Sequence, residues 1–137
     1  MMHGAYSSAS DNWYITYQLA EQGYDVWVGT NRGDQYGNVN SQDGVWSLKE
    51  HWNFTWADMG YYDVPSLLDK VLEVSEKPKA TIMGYSQGAA QILYGLAKKQ
   101  DYFADKVHRF VAMAPCPFIR TGGFQYEVAV KAYLALD

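Results

Sequence analysis

The run Gly84-Tyr85-Ser86-Gln87-Gly88 constrains this chain more than any other feature of its sequence. It follows the short apolar run 80–83. Behind it, apolar residues recur at the spacing of one face of a helix: Ala89, Ala90, Ile92, Leu93, Leu96 and Ala97. The pattern predicts a strand, a sharp turn and a helix. A serine between two glycines in such a turn can stand clear of the backbone, because neither glycine brings a side chain against it.

Other segments repeat this alternation of strands and helices. Apolar periodicity, with glycine and proline at the ends of segments, predicts the elements in order: helix 11–22, strand 24–29, helix 55–73, strand 80–83, helix 89–97 and strand 107–114. Strands separated by helical stretches favour a parallel sheet with crossover helices. The predicted fold class is therefore α/β.

Two signals refine the helix predicted from residue 55. Thr55-Trp56-Ala57-Asp58 fits the capping-box pattern, in which a hydroxyl and a carboxylate satisfy free amides at a helix start. Pro65 lies inside the predicted helix, where its ring cannot sit without strain, so we expect a kink or a restart there. Pro78 should end the segment.

The parallel arrangement also predicts where a site would lie. In such sheets, ligands bind at the carboxyl ends of the strands, so residues 29–33, 84–88 and 114–116 should share one rim. The polar stretch 34–53 reads as a long loop, which in a compact domain is usually functional or mobile.

Composition excludes several function classes. The formal charge of the 137 residues is −4 and no basic stripe is present, so nucleic acid is not an expected partner. The single cysteine, Cys116, excludes an internal disulfide framework and a multi-cysteine zinc site. No apolar run is long enough to predict a transmembrane segment. Asn53-Phe54-Thr55 fits the glycosylation sequon, which is a weak hint of secretion.

The serine motif carries the predicted chemistry. A serine hydroxyl is a poor nucleophile and needs a base and nearby amides that stabilise an oxyanion. The backbone amide of Gln87 would be one such donor, at the start of the following helix, where the helix dipole favours negative charge. His3-Gly4-Ala5 is the candidate for the second donor.

Several blocks of the chain, in order, resemble the acid lipase group of the α/β-hydrolase superfamily, which includes the lysosomal acid lipases and the gastric lipases. The similarity extends from residue 2 to about residue 115. The residues that carry it are Met2-His3-Gly4, Ser8, Asp11-Asn12-Trp13, Gly23-Tyr24-Asp25-Val26-Trp27, Gly29, Asn31-Arg32-Gly33, Trp52, Phe54, Asp58-Met59, Tyr62-Asp63, Pro65, Gly84-Tyr85-Ser86-Gln87-Gly88, Ala112, Ala114 and Pro115.

This resemblance implies that Ser86 is the nucleophile and that the amides of Ala5 and Gln87 form the oxyanion hole. It implies hydrolysis of a triacylglycerol or a steryl ester at a lipid–water interface, through an acyl-serine intermediate. No metal or organic cofactor is implied. Residues 1–117 would belong to the hydrolase core and residues 118–137 to the start of a lid or cap. The oligomeric state and the compartment stay open, although the family suggests a lysosomal or secreted protein.

The acid and base that would activate Ser86 are not evident in the sequence. The resemblance implies the order Ser, Asp, His along the chain. His108 follows Ser86, but it opens the strand predicted at 107–114, at the far end of the sheet. The other candidates lie in the N-terminal segment, the long loop, the connection before that strand and the cap region: His3, His51, Asp101, Asp105 and Asp137.

We therefore expect the chain to be a fragment or a partial gene model of a lipase. The resemblance also implies a strand that ends at Met2 and lies between those at 24–29 and 80–83, with most of its residues outside the sequence. Such a gap would leave two apolar strand edges unpaired. In the flanking genomic sequence, an in-frame strand upstream and an Asp and a His downstream would support this expectation.

Two alternatives remain open. One is a binding or interaction protein that keeps a partial hydrolase fold, and the other is a hydrolase of another acyl substrate, such as a peptidase or thioesterase. Aromatic residues expected near the rim suit an apolar acyl chain, although ordinary core packing is the favoured explanation for them: Trp27, Trp46, Trp52, Trp56, Tyr61 and Tyr62.

Overall fold

The computed structural model describes residues 1–2, 13–34 and 52–116. Its elements follow the alternation that the sequence predicts. In chain order they are α1 (Trp13–Glu21), α2 (Trp56–Asp58), a π-helical turn (Met59–Asp63), α3 (Val64–Ser75), β1 (Ala80–Tyr85), α4 (Gln87–Lys98), α5 (Gln100–Lys106) and β2 (Val107–Met113). The long loop predicted over 34–53 and the lid or cap segment 118–137 lie almost wholly outside the described residues.

The sheet is parallel, as predicted. β1 pairs with β2 in a register that places Gly84 beside Ala112 and Tyr85 beside Met113. Met2 lies on the other side of β1: its N–H donates to the Met83 carbonyl at 2.8 Å, and its carbonyl accepts from the Tyr85 N–H at 3.1 Å. Met2 therefore extends the sheet beyond β1.

Met2 also bridges in parallel to Gly29 and so lies between Gly29 and Gly84, in the position that the resemblance implies. The predicted strand over 24–29 is wrong in extent, because only Gly29 is bridged and 24–28 form no strand. Among the described residues, the main-chain partner of this segment is Met1, whose amino group donates to the Trp27 carbonyl at 2.7 Å and whose carbonyl accepts from the Gly29 N–H at 2.9 Å. One partner residue is too little for a continuous ladder.

The helix predicted from 55 to 73 forms over 56–75, with an irregularity where Pro65 predicts one. The Asp58 carboxylate accepts from the Thr55 N–H at 2.7 Å and from the Thr55 hydroxyl at 2.8 Å, as the capping pattern predicts. These bonds lower the pKa of Asp58. Pro65 has no N–H to donate, and the helix adapts through the π turn immediately before α3.

The first helix begins and ends close to its predicted limits. Gly23, with φ of +87°, ends it in a left-handed conformation, and the Tyr24 N–H returns to the Leu19 carbonyl at 3.2 Å. No residue of α1 is buried among the described residues, and Trp13, Tyr14 and Tyr17 are 57–66% exposed. None of the described helices is long and apolar enough to cross a membrane.

The core lies where α3, α4 and α5 meet the sheet. Its buried members come from four parts of the chain, with Val64 and Leu68 both on α3: Met2, Val64, Leu68, Ile92 and Phe103. Of these, Ile92 and Phe103 are essentially inaccessible to solvent. The apolar face predicted for α4 is confirmed at Ala89, Ala90 and Ile92, which are all buried, but it is wrong at Ala97, which is exposed.

Helix α5 was not predicted, since the sequence indicated only a connection there. It is seven residues long, and Phe103 anchors it in the core. The Tyr102 hydroxyl lies 3.0 Å from the Pro65 carbonyl oxygen and 2.7 Å from Asp69 Oδ1, while Lys106 pairs with the same carboxylate. Burial and the neighbouring Asp69 raise the pKa of Tyr102, so this hydroxyl stays a hydrogen-bond donor. Contacts remote in sequence therefore stabilise α5.

The π turn approaches α4 closely through two glycines. A Cβ at Gly60 would strike the carbonyl group of Gln91, and a Cβ at Gly95 would lie 2.6 Å from the Gly60 carbonyl oxygen and 3.0 Å from Phe103. Both positions are buried. The two backbones therefore touch at a point where a side chain does not fit.

We predict that Gly95→Ala destabilises the protein by about 1 to 3 kcal/mol through this overpacking. Helix propensity alone predicts the opposite sign, a gain of about 1 kcal/mol. The measurement is denaturant unfolding. In the matched control Ala97→Gly, at an exposed position of the same helix, propensity should cost about 1 kcal/mol. A Gly95→Ala variant more stable than the parent would contradict the close contact.

Candidate active site

The structure places Ser86 at a strained turn between β1 and α4. Its φ is +50° and its ψ is −117°, a conformation that a residue with a side chain rarely adopts. Such strain costs about 1 to 3 kcal/mol and persists only where the surroundings impose it. The Ser86 N–H donates to the Met113 carbonyl at 2.9 Å, and the Ser86 carbonyl accepts from Ala89 and Ala90. The ends of both strands and the first turn of α4 thus fix this residue.

Gly84 makes the sharp turn possible. A Cβ at this position would lie 2.6 Å from the Ala89 nitrogen, 2.7 Å from the Ala89 Cα and 2.7 Å from the Gly88 carbonyl carbon. All three are backbone atoms and have little room to move. The glycine before Ser86 in the motif therefore has a steric reason: the end of β1 packs directly against the start of α4.

The first turn of α4 can bind an anion. The early N–H groups of a helix have no partner within the helix, and the helix dipole adds partial positive charge there. Ala89 and Ala90 donate to the Ser86 carbonyl, whereas the Gln87 N–H has no hydrogen-bond partner among the described residues. This amide follows the serine directly, as an oxyanion donor must in this motif.

The predicted common rim is present in the described residues. Gly29 and Gly84 lie level with each other, because both bridge to Met2, and Met113 bonds to Ser86. Ala114, the residue after β2, also has a positive φ of +43°. Two strained residues therefore end neighbouring strands side by side, a clustering that is common at functional sites.

An ion pair between Arg32 and Asp63 links the turn that follows Gly29 to the π turn. Arg32 Nη2 lies 2.6 Å from Asp63 Oδ1, Nε lies 2.8 Å from the same oxygen, and the Arg32 N–H donates to Oδ2 at 3.1 Å. The Asp63 hydrogen bonds raise the pKa of Arg32. No local pattern indicates this pairing, because the two residues are 31 positions apart.

Three side chains beside the turn at residues 84–88, here called the elbow, were also missed by sequence reasoning: those of Met59, Gln87 and Gln91. The side-chain amides of Gln87 and Gln91 both donate to the Met59 thioether sulfur, at 3.6 and 3.1 Å. Gln91 is completely buried, and its Oε1 has no hydrogen-bond partner within the described part of the chain. One feature of the sequence could have indicated this contact: Gln91 is a polar residue among the apolar residues predicted for one face of α4.

The structure brings no acid or base to Ser86 from the described residues. His108 is exposed and starts β2, five residues before Met113, which puts it about 16 Å from the elbow along the strand. Asp101 and Asp105 are exposed on α5. The remaining predicted candidates lie outside the described residues: Ala5, His3, His51 and Asp137. No group of His, Cys, Asp or Glu side chains within the described ranges could hold a metal ion.

The favoured explanation for the aromatic residues, core packing, is wrong for the described ones. Trp27, Trp52, Trp56, Tyr61 and Tyr62 are 37–54% exposed, and Trp46 lies outside the described residues. Tyr61 does not lie at the rim, since Lys99 Nζ lies 4.1 Å from its ring centre. The Tyr62 ring centre lies 5.8 Å from Lys99 Nζ and 5.7 Å from Arg32 Cζ, so this ring reaches the rim segment 29–33. Lys99 follows α4, whose 12 residues separate it from Ser86 by about 18 Å.

The strain at Ser86 gives a prediction about stability. We expect Ser86→Gly to be about 1 to 2 kcal/mol more stable than Ser86→Ala, because only glycine adopts this conformation without penalty. Thermal or denaturant unfolding of the two variants measures the difference. The matched pair Ser66→Gly and Ser66→Ala, on an exposed turn of α3, should show the reverse order by about 1 kcal/mol. Equal stability of the two Ser86 variants would contradict the strain.

The sequence matches known proteins over most of its length. Residues 1–134 match the family model described as "alpha/beta hydrolase fold". The chain is 34% identical to Lipase lipl-3 of Caenorhabditis elegans over 84% of its length, 32% identical to Lipase 1 of Drosophila melanogaster over 97%, and 32% identical to the gastric triacylglycerol lipase of Mus musculus over 88%. It spans 30 to 31% of the length of these relatives.

Family match, parallel sheet and crossover helices agree with one another, and the relatives are lipases. The chain is thus an acid lipase-like member of the α/β-hydrolase fold family.

Proposed function

We propose that this protein is a serine hydrolase of the lipase type, which cleaves carboxylic esters of neutral lipids through an acyl-serine intermediate. The observation that carries the proposal is the conformation of Ser86, which is held at +50° in φ between a strand and the free amides of a helix start. A structural serine in a glycine-rich turn would have no need of this strain.

In the proposed reaction, Ser86 Oγ attacks the ester carbonyl as a base removes its proton. The carbonyl oxygen becomes an oxyanion, which the N–H groups of Gln87 and Ala5 stabilise. Collapse of this intermediate expels the alcohol and leaves an acyl-serine, and water then releases the fatty acid by the same steps. Two observations support the Gln87 amide as a donor: no described residue accepts a hydrogen bond from it, and it lies at the start of α4.

The base and its acidic partner must come from outside the described residues. Without them, Ser86 remains a weak nucleophile. In the well-studied hydrolases with a Ser-His-Asp triad, removal of triad members leaves a rate only about 10³- to 10⁴-fold above that of the reaction in water. The chain spans 30 to 31% of its lipase relatives. We infer that a His and an Asp of the whole protein complete the site.

The substrate class rests on the relatives. One of them is named a triacylglycerol lipase, and the others are named lipases. We propose a triacylglycerol or a steryl ester as the substrate, bound at a lipid–water interface, with no metal or organic cofactor. A peptidase or thioesterase could use the same elbow, because the fold does not choose the acyl group.

We expect a fluorophosphonate probe to label Ser86 in the whole protein that carries this chain, and that protein to hydrolyse a short-chain aryl ester and an emulsified triacylglycerol or steryl ester. Ser86→Ala should abolish labelling and lower turnover by about 10³-fold or more. Mass spectrometry of the labelled peptide and a titrated fatty-acid assay provide the measurements. The variant His108→Ala should behave as the parent, since His108 lies at the other end of the sheet.

A folded sample that the probe does not label would contradict the proposal and favour a binding protein with a hydrolase fold. Labelling with preference for a peptide or a thioester would retain the serine mechanism and overturn the lipid substrate. Turnover of the 137-residue chain alone, far above the Ser86→Ala background, would overturn the inference that residues outside it supply the base.

A further inference from the structure

We infer that Met59 is a positioning residue for the reaction: its thioether holds the side chains of Gln87 and Gln91 and thereby fixes the first turn of α4. This inference rests on the proposed function, since it concerns the amide that would bind the oxyanion. Met59 itself touches no reacting atom in this scheme.

The geometry joins three side chains from two elements, the π turn and α4, at one sulfur atom. Met59 Sδ accepts from Nε2 of Gln87 at 3.6 Å and from Nε2 of Gln91 at 3.1 Å. The two glutamines are one helical turn apart, so their side chains lie on the same face of α4. The side chain of Gln87 and the proposed oxyanion amide belong to the same residue. A contact that fixes this side chain also restricts the orientation of that amide.

Met59 is itself well anchored. It starts the π turn, and its N–H donates to the Thr55 carbonyl at 3.3 Å, beside the bonds of Thr55 to Asp58. The next residue, Gly60, packs directly on the carbonyl of Gln91. Single π turns inside helices are frequent at functional sites. Here the π turn places the Met59 side chain against the start of α4, next to the elbow.

The burial of Gln91 is the second, independent observation. Its side chain is 0% exposed, its Oε1 has no partner in residues 1–2, 13–34 and 52–116, and its neighbours in the sequence, Ala90 and Ile92, belong to the apolar face. A leucine there would avoid the cost of burying an unsatisfied oxygen. Local conflicts of this kind are expected at functional sites, where they serve something other than stability. We attribute this one to the contact with Met59.

The test is Met59→Leu in the natural protein that carries this chain, assayed with a soluble aryl ester. We expect kcat to fall ten- to a hundred-fold while KM stays within two-fold, because a small displacement of an oxyanion donor weakens binding of the transition state more than binding of the ester. The matched control is Met83→Leu, the same change of side chain within β1, which should keep the parental kcat.

Two double variants separate positioning from simple stability. Gln87→Leu should lower kcat as Met59→Leu does, and the two together should be no worse than either alone, since both break one contact. Met59→Leu with Gln91→Leu should recover the thermal stability lost in Met59→Leu, because both polar partners are removed together, but it should not recover kcat. Parental kcat in Met59→Leu, or kcat restored along with stability, would overturn the inference.

Failure of the proposed function is distinguishable. If Ser86→Ala retains turnover, the lipase proposal fails, and hydrogen exchange then tests the positioning alone. Met59→Leu should speed exchange of the Ala89 and Ala90 amides, which bond to the Ser86 carbonyl, relative to those in the middle of α4. Unchanged exchange at these two amides would overturn the positioning role.

Discussion

The contact between the end of β1 and the start of α4 is the constraint on which the candidate site depends. Gly84 leaves no space for a side chain between these backbones, and the Ser86 N–H and carbonyl are both taken up by neighbouring main-chain groups. The chain must therefore reverse within one residue. That residue, Ser86, carries the strain, about 1 to 3 kcal/mol. It is also the N-cap of α4, whose first amide, that of Gln87, has no partner in the part of the chain that the structure describes.

The rest of the described fold holds this contact in place. The glycine contact between the π turn and α4 brings the helices within backbone distance, and Phe103 fills the core beneath them. Parallel pairing of β2 supplies the Met113 carbonyl that fixes Ser86. Arg32 and Asp63 fasten the neighbouring rim to the π turn. In the proposed mechanism, oxyanion stabilisation requires donors that are fixed before the reaction, and rigid packing of this kind would fix the Gln87 amide.

Much of this architecture could be predicted from local patterns. The capping sequence at Thr55 and the proline at 65 placed a helix and its irregularity, and the glycines around Ser86 placed the turn. The prediction failed where pairing with distant residues decides the outcome. Residues 24–28 have the composition of a strand but have too few partners among the described residues to form one, and α5 depends on Phe103 reaching the core.

The sequence by itself determined the α/β class, the serine turn and the family resemblance, because each depends on short patterns of neighbouring residues and on the order of these patterns along the chain. Only the tertiary structure decided which distant side chains meet. It brought Met59 to Gln87 and Gln91 and paired Arg32 with Asp63, and it put Tyr61, expected at the rim, beside Lys99 at the far end of α4. Contacts between residues some 30 positions apart depend on how helices cross, and the periodicity of a single segment does not encode that.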